Sequence, residues 1–146
     1  MAVHPRAVLD TNVIPAAKGS PHPASPGREI IERWKHGELM LLYSTDTLVE
    51  YSEKLLEHGF QEAEVERFIR LFARHGEAVV ITFFHFRHYP VDRDDVMFLL
   101  CAMNGEASHL VSYDRHLLDL RSFYAGELII CQPLEFLAVL RLANRI

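Results

Sequence analysis

Short apolar runs alternate with amphipathic stretches along almost the whole chain. Ala7-Val8-Leu9 ends in Asp10 and reads as a buried strand over 7–10. Residues 15–27 carry four prolines and two glycines and read as loop. Ile30, Ile31 and Trp34 share one face of a helix that runs to about Lys35, and Gly37 stops it. Leu39–Tyr43 is a continuous apolar strand. A helix over about 45–59 turns Leu48, Tyr51, Leu55 and Leu56 inward, and another over about 62–75 buries Val65, Phe68, Ile69 and Phe72. Ala78–Phe84 has strand composition, and residues 85–93 are irregular. A helix over Asp94–Met103 closes on Asn104-Gly105. A strand at Leu110–Ser112, a short helix at Arg115–Leu120 and a strand at Leu128–Cys131 follow. Pro133 suits the first turn of a last helix bearing Leu134, Leu137, Ala138 and Leu142.

The strands are apolar throughout instead of alternating, which predicts cover on both faces. With strands and helices alternating, the expectation is an α/β fold with a mostly parallel sheet, residues 1–146 forming a single domain. Composition agrees: 146 residues, 49% hydrophobic and 24% charged, suit a globular domain. A net charge of -5 argues against an unaided nucleic-acid binder, yet bound cations alter local charge and leave a nuclease open. Cys101 and Cys131 give no disulfide framework. No stretch reads as a signal peptide or a membrane span, so the expected location is the cytoplasm.

In parallel sheets, ligands bind beyond the carboxyl ends of the strands. Asp10 ends the first strand and Asp114 closely follows another. Glu50 lies about one turn into the helix after Leu39–Tyr43, and Asp95 begins the helix after the irregular segment. All four can reach one edge, where crowded carboxylates are tolerable mainly when a divalent cation neutralises them. Each also has a plain alternative. Asp10 can cap a turn, and Glu50 can complete a capping box with Thr47. Asp94 or Asp95 can sit at a helix N-terminus, and Asp114 can cap the helix from Arg115. Those alternatives do not explain why all four fall on one side of the sheet.

Val8-Leu9-Asp10-Thr11-Asn12, Leu48-Val49-Glu50, Asp92-Arg93-Asp94-Asp95 with Phe98-Leu99, and Leu110-Val111-Ser112-Tyr113-Asp114 with Leu117-Leu118 occur in that order. In these the chain resembles the PIN-domain ribonucleases, in particular the toxin-type (VapC-like) proteins of toxin–antitoxin pairs. The resemblance extends to the closing Pro133–Leu137. It implies a three-layer α/β/α PIN-like domain and an acidic site of Asp10, Glu50, Asp95 and Asp114, with Asn12 and Ser112 as small polar helpers. Asp95 is favoured over Asp92 and Asp94 by its offset to Phe98-Leu99, leaving Asp92 as an outer-shell group. The implied cofactor is Mg²⁺ or Mn²⁺, activating water toward an RNA phosphodiester. The implied partners are RNA, an antitoxin protein and a second copy in a homodimer. Tyr113 stands where the family often has Gly and His116 where it is often acidic. Leu100 and Cys101 are bulkier than the family's usual Ala-rich run. Tyr113 and His116 motivate an alternative function, a catalytically inactive PIN-like scaffold that binds RNA or protein. A phosphoacceptor domain with Asp10 as nucleophile is disfavoured, because Asn12 stands where such domains carry a second Asp.

Other residues carry weaker signals. His85-x-x-His88 lacks a third nitrogen or sulfur ligand for zinc at ordinary spacing and fits a polar loop. His116 either touches phosphate or is a surface histidine. Arg28, Arg93 and Arg115 can flank the acidic edge and hold phosphates, although Arg93 can equally pair with its acidic neighbours. Lys18 lies in the proline-rich loop, which fits a solvated connection better than a cover for substrate. Trp34, Tyr51 and the Phe83-Phe84-Phe86 cluster include candidates for base stacking, with core packing the plainer expectation.

Overall fold

The structure is a computed structural model that describes residues 4–14 and 25–145. Five strands form one sheet: β1 (Arg6–Leu9), β2 (Met40–Tyr43), β3 (Glu77–Ala78), β4 (His109–Val111) and β5 (Ile129–Cys131). Their spatial order is β3-β2-β1-β4-β5, and every pairing is parallel, beyond the mostly parallel sheet expected. Seven helices flank the sheet in a three-layer α/β/α arrangement: α1 (Pro26–Lys35), α2 (Thr45–Glu57), α3 (Glu62–His75), α4 (Val96–Asn104), α5 (Arg115–Leu118), α6 (Arg121–Tyr124) and α7 (Pro133–Ala143). The proline-rich residues 15–24, Lys18 among them, lie outside the described residues.

β1 is the middle strand, with Ala7 opposite Leu41 on one side and His109 on the other. Ala7, Val8 and Leu9 are buried, as are all three residues of β4, because helices cover both faces. This is why these strands read as unbroken apolar runs. Parallel pairing also places the carboxyl ends of β1, β2 and β4 at one edge. The ladder runs just past those ends, with the Asp10 amide on Val111 O and the Ser112 amide on Cys131 O, each at 2.9 Å.

The helices start where local chemistry dictates. Ser25 caps α1 by accepting the Arg28 amide, and Pro26 sits in its first turn. α2 begins with a reciprocal box in which Ser44 and Thr47 each satisfy the other's amide. The expected Thr47–Glu50 box is therefore corrected: Ser44 does the capping and Glu50 is left free of that task. Tyr51, one residue further, is wholly buried, stacks on Phe72 at 5.4 Å and donates its hydroxyl to Leu9 O. That bond pins α2 to the chain immediately before Asp10. Trp34 packs on Phe72 at 4.8 Å and donates its indole N–H to His75 O. Trp34 and Tyr51 thus belong to the core and stack on no base.

Two expectations fail in the middle of the chain. The strand expected over Ala78–Phe84 ends at Ala78. The amides of Thr82 and Phe83 go instead to Asn104 Oδ1, at 3.0 and 2.9 Å, and Asn104 Nδ2 returns a bond to Phe83 O at 2.8 Å. A single side-chain amide thus replaces the neighbouring strand that this β-prone stretch lacks. Phe83 and Phe84 are left exposed, not packed in the core. The helix expected from Asp94 begins as a 3₁₀ turn at Arg93–Asp95 and becomes α-helical at Val96. The Asn104-Gly105 stop is also specific in its reason. Gly105 has an ordinary φ of -87°. A Cβ there would lie 2.8 Å from both Leu42 Cδ1 and Val79 Cγ2, so close approach demands glycine.

Candidate metal centre

The carboxyl edge of the sheet holds a cavity of about 400 Å³ lined by Asp10, Thr11, Asn12, Glu50, Lys54, His58, Asp92, Asp94, Asp95, Phe98 and Asp114. Six of those side chains are carboxylates. All four acids expected at the site, together with Asp92, line this one space. They do so from four different parts of the fold: the end of β1, the second turn of α2, the entry to α4 and the entry to α5.

Asp10 is buried and doubly held. Its Oδ1 accepts the Thr11 amide at 2.7 Å and its Oδ2 accepts the Ser112 hydroxyl at 2.6 Å. Ser112 Oγ in turn accepts the Asp114 amide at 2.8 Å, so the small helper residue ties two of the acids together. Asn12 acts similarly, accepting the Tyr113 amide through Oδ1 at 3.3 Å. Burial raises the Asp10 pKa to about 6; the bonds from Ser112 and Thr11 pull it down, and the charges of Asp114 and Glu50 push it up.

Asp95 is equally buried, but its Oδ2 has no such bonds. Its side chain caps no helix, since Asp92 takes that task by accepting the Asp94 amide at 2.9 Å. Asp95 Oδ2 is buried with no hydrogen-bond partner among the described residues. Burial, followed by the charges of Asp10 and Asp114, raises its pKa to about 7. An unpartnered carboxylate oxygen facing other carboxylates is costly, and a cation is the group that would offset the cost.

The tightest grouping at the edge consists of Asp92, Asp95, Asp114 and His116, each offering one ligand atom within 4.8 Å of the others. Asp95 and Asp114 belong to it. Asp10 and Glu50 do not, although they line the same cavity as its three carboxylates. Asp92, expected only as an outer group, stands inside it. Glu50 is half-buried, and burial raises its pKa while the nearby Lys54 lowers it. Lys54 and His58 were not foreseen, although positions four and eight after Glu50 on one helix are the signal that finds them.

Several secondary expectations are settled by placement. Tyr113 does not line the cavity and is 47% exposed. Arg28 lines a different cavity, beside Ile31 and Lys35 of α1 and Phe68 and Leu71 of α3. His88 stacks on Phe123 at 3.9 Å. Cys101 and Cys131 are buried free thiols. No helix among the described residues is long and apolar enough to cross a membrane.

The family model of the PIN domain matches residues 6–116, from the first residue of β1 to His116. The chain belongs to the PIN-domain family. No curated protein matches it. The PIN domain is a nuclease fold whose members generally depend on divalent metal, and the acidic group at this sheet edge could hold one. In this PIN domain the matched region ends at the last residue of the Asp92, Asp95, Asp114 and His116 grouping, while β5 completes the sheet beyond it.

Proposed function

We propose that this PIN-domain protein is an Mg²⁺- or Mn²⁺-dependent endoribonuclease and the toxin of a toxin–antitoxin pair, acting in the cytoplasm. The observation that carries the nuclease reading is Asp95 Oδ2, buried without a partner in a cavity of six carboxylates. The donor set fits a hard divalent cation, which takes carboxylate oxygens and water. Asp10, Glu50, Asp95 and Asp114 would hold it, with Asn12, Ser112 and Asp92 in support. Bound there, a cation supplies the charge that activates water and offsets the phosphodiester's developing negative charge.

The chain's own residues prepare that chemistry. Ser112 fixes the carboxylate of Asp10 and the backbone of Asp114 with a single hydroxyl. Tyr51 anchors α2, and with it Glu50, to the end of β1. Lys54 gives the cavity a positive charge where phosphate can approach, and His58 lines the same wall. No carboxylate needs to act as a nucleophile. The net charge of -5 makes binding of single-stranded or looped RNA depend on the cation.

The test is RNA cleavage in Mg²⁺ or Mn²⁺ by the wild type and by Asp10→Asn and Asp95→Asn. Each variant is expected to lose at least 100-fold in rate. Full activity in both would overturn the site. An inert wild type that nevertheless binds RNA or protein would favour the scaffold alternative. The toxin role predicts growth arrest on expression, relieved by a small protein encoded next to it and abolished by Asp95→Asn. A homodimer is the expected oligomer, checked by sedimentation.

A further inference from the structure

The residue that departs most from an all-oxygen site is His116. It sits in the first turn of α5, its amide bound to Asp114 Oδ1 at 2.8 Å. Its Nδ1 lies 3.5 Å from Asp114 Oδ1 and 4.0 Å from Asp95 Oδ2. The second of these oxygens is the buried one without a hydrogen-bond partner. Ligand atoms at about 2.1 Å from a six-coordinate cation stand roughly 3.0 Å apart at right angles and about 4.2 Å apart when opposite. The two separations from His116 fall in that range; the whole group with Asp92 spans up to 4.8 Å, so its widest pair would close by about 0.6 Å on an ion.

The geometry points to His116 as a direct nitrogen ligand of the catalytic cation, making this a mixed imidazole–carboxylate site that selects a first-row transition ion such as Mn²⁺ over Mg²⁺. This rests on the nuclease reading and refines it. Mg²⁺ takes oxygen and gives up its water reluctantly, whereas imidazole suits later, softer divalent ions. Two independent observations carry it: the mixed four-residue group, and the bare Asp95 oxygen aimed into it from a residue that is 5% exposed.

The experiment is Mn²⁺ and Mg²⁺ titration of the metal-stripped full chain, with pulsed electron paramagnetic resonance of the bound Mn²⁺. Wild type is expected to bind Mn²⁺ at least tenfold more tightly than Mg²⁺ and to show imidazole ¹⁴N coupling. His116→Gln should lose the coupling and weaken Mn²⁺ binding about tenfold. His116→Asp should restore binding without the coupling and narrow the Mn²⁺/Mg²⁺ ratio. His58→Gln, which changes the histidine that lines the neighbouring cavity, should keep the coupling. Coupling that survives in His116→Gln, or disappears in His58→Gln instead, overturns the inference. Mn²⁺ binding that is lost in Asp95→Asn yet shows no imidazole coupling in wild type overturns it too, leaving the acidic site intact. No Mn²⁺ binding by wild type overturns both.

Discussion

Ser112 Oγ donates to Asp10 Oδ2 at 2.6 Å across 102 positions of sequence and, through the same atom, accepts the Asp114 amide at 2.8 Å. One hydroxyl thus fixes the first acid of the chain relative to the last. Ser112→Ala would leave a buried carboxylate oxygen and an amide without their partner. The expected cost is on the order of 1–3 kcal/mol, read by urea unfolding. Cation affinity should fall as well, because Asp10 and Asp114 lose their common strut.

The metal-free protein should lose stability as pH rises from about 4 to 8. Asp10 and Asp95 have pKa values raised from 3.8 to about 6 and about 7. Between the unfolded and folded values the native state binds more protons than the unfolded chain, so the slope of stability against pH is negative there. The favourable contribution is complete below about pH 4 and lost as pH passes each folded value. Glu29, held down to about 2 by Arg141 and then Arg33, works in the opposite sense, but only below about pH 4.5. The melting temperature should therefore drop by about 5 °C or more from pH 5 to pH 8 without metal. Adding Mn²⁺ at pH 8 should reverse the drop, since a cation replaces the protons.

Asp95→Asn should abolish cation binding while stabilising the metal-free protein at pH 8. The substitution removes a charge that burial and the Asp10 and Asp114 carboxylates disfavour. A gain of about 1–3 kcal/mol is expected at pH 8, shrinking toward pH 5, where Asp95 is already protonated. Asp10→Asn should gain less, because both Asp10 oxygens have native donors. Denaturant melts of the two variants at both pH values distinguish these outcomes.

Asn104 should behave as a hinge pin. It bonds the amides of Thr82 and Phe83 and the carbonyls of Phe83 and Leu100. Asn104→Ala should cost about 1–3 kcal/mol and speed amide exchange at residues 82 and 83. A loss confined to stability, with those amides still protected, would contradict this role.

The sequence carried the framework because burial on two faces leaves unbroken apolar runs in β1 after Arg6 and in β4 after His109, so Ala7-Val8-Leu9 and Leu110-Val111 could be read as central strands. Asp10 and Asp114 followed from strand ends, and Asp95 from its spacing to Phe98 and Leu99, both of which pack in the core. What stayed hidden depends on partners distant in sequence. Ala78–Phe84 has the side chains of a strand, but only the fold reveals that Asn104 takes its amides. His116 looked like a surface helix position, because nothing in Arg115–Leu118 reveals that this turn faces Asp95. Asp92 looked peripheral for a related reason: a one-turn 3₁₀ segment redirects the chain between it and Asp95.

The strut between Ser112 and Asp10 also ties completion of the acidic edge to synthesis. The edge is built from residues near both ends of a span of more than 100 positions, and no local segment contains it. A ribosome-bound chain that has not yet exposed β4 and the turn through His116 has Asp10 and Glu50 but lacks the residues that complete the edge. Whatever binds at this edge therefore has no complete site until that stretch has emerged and docked.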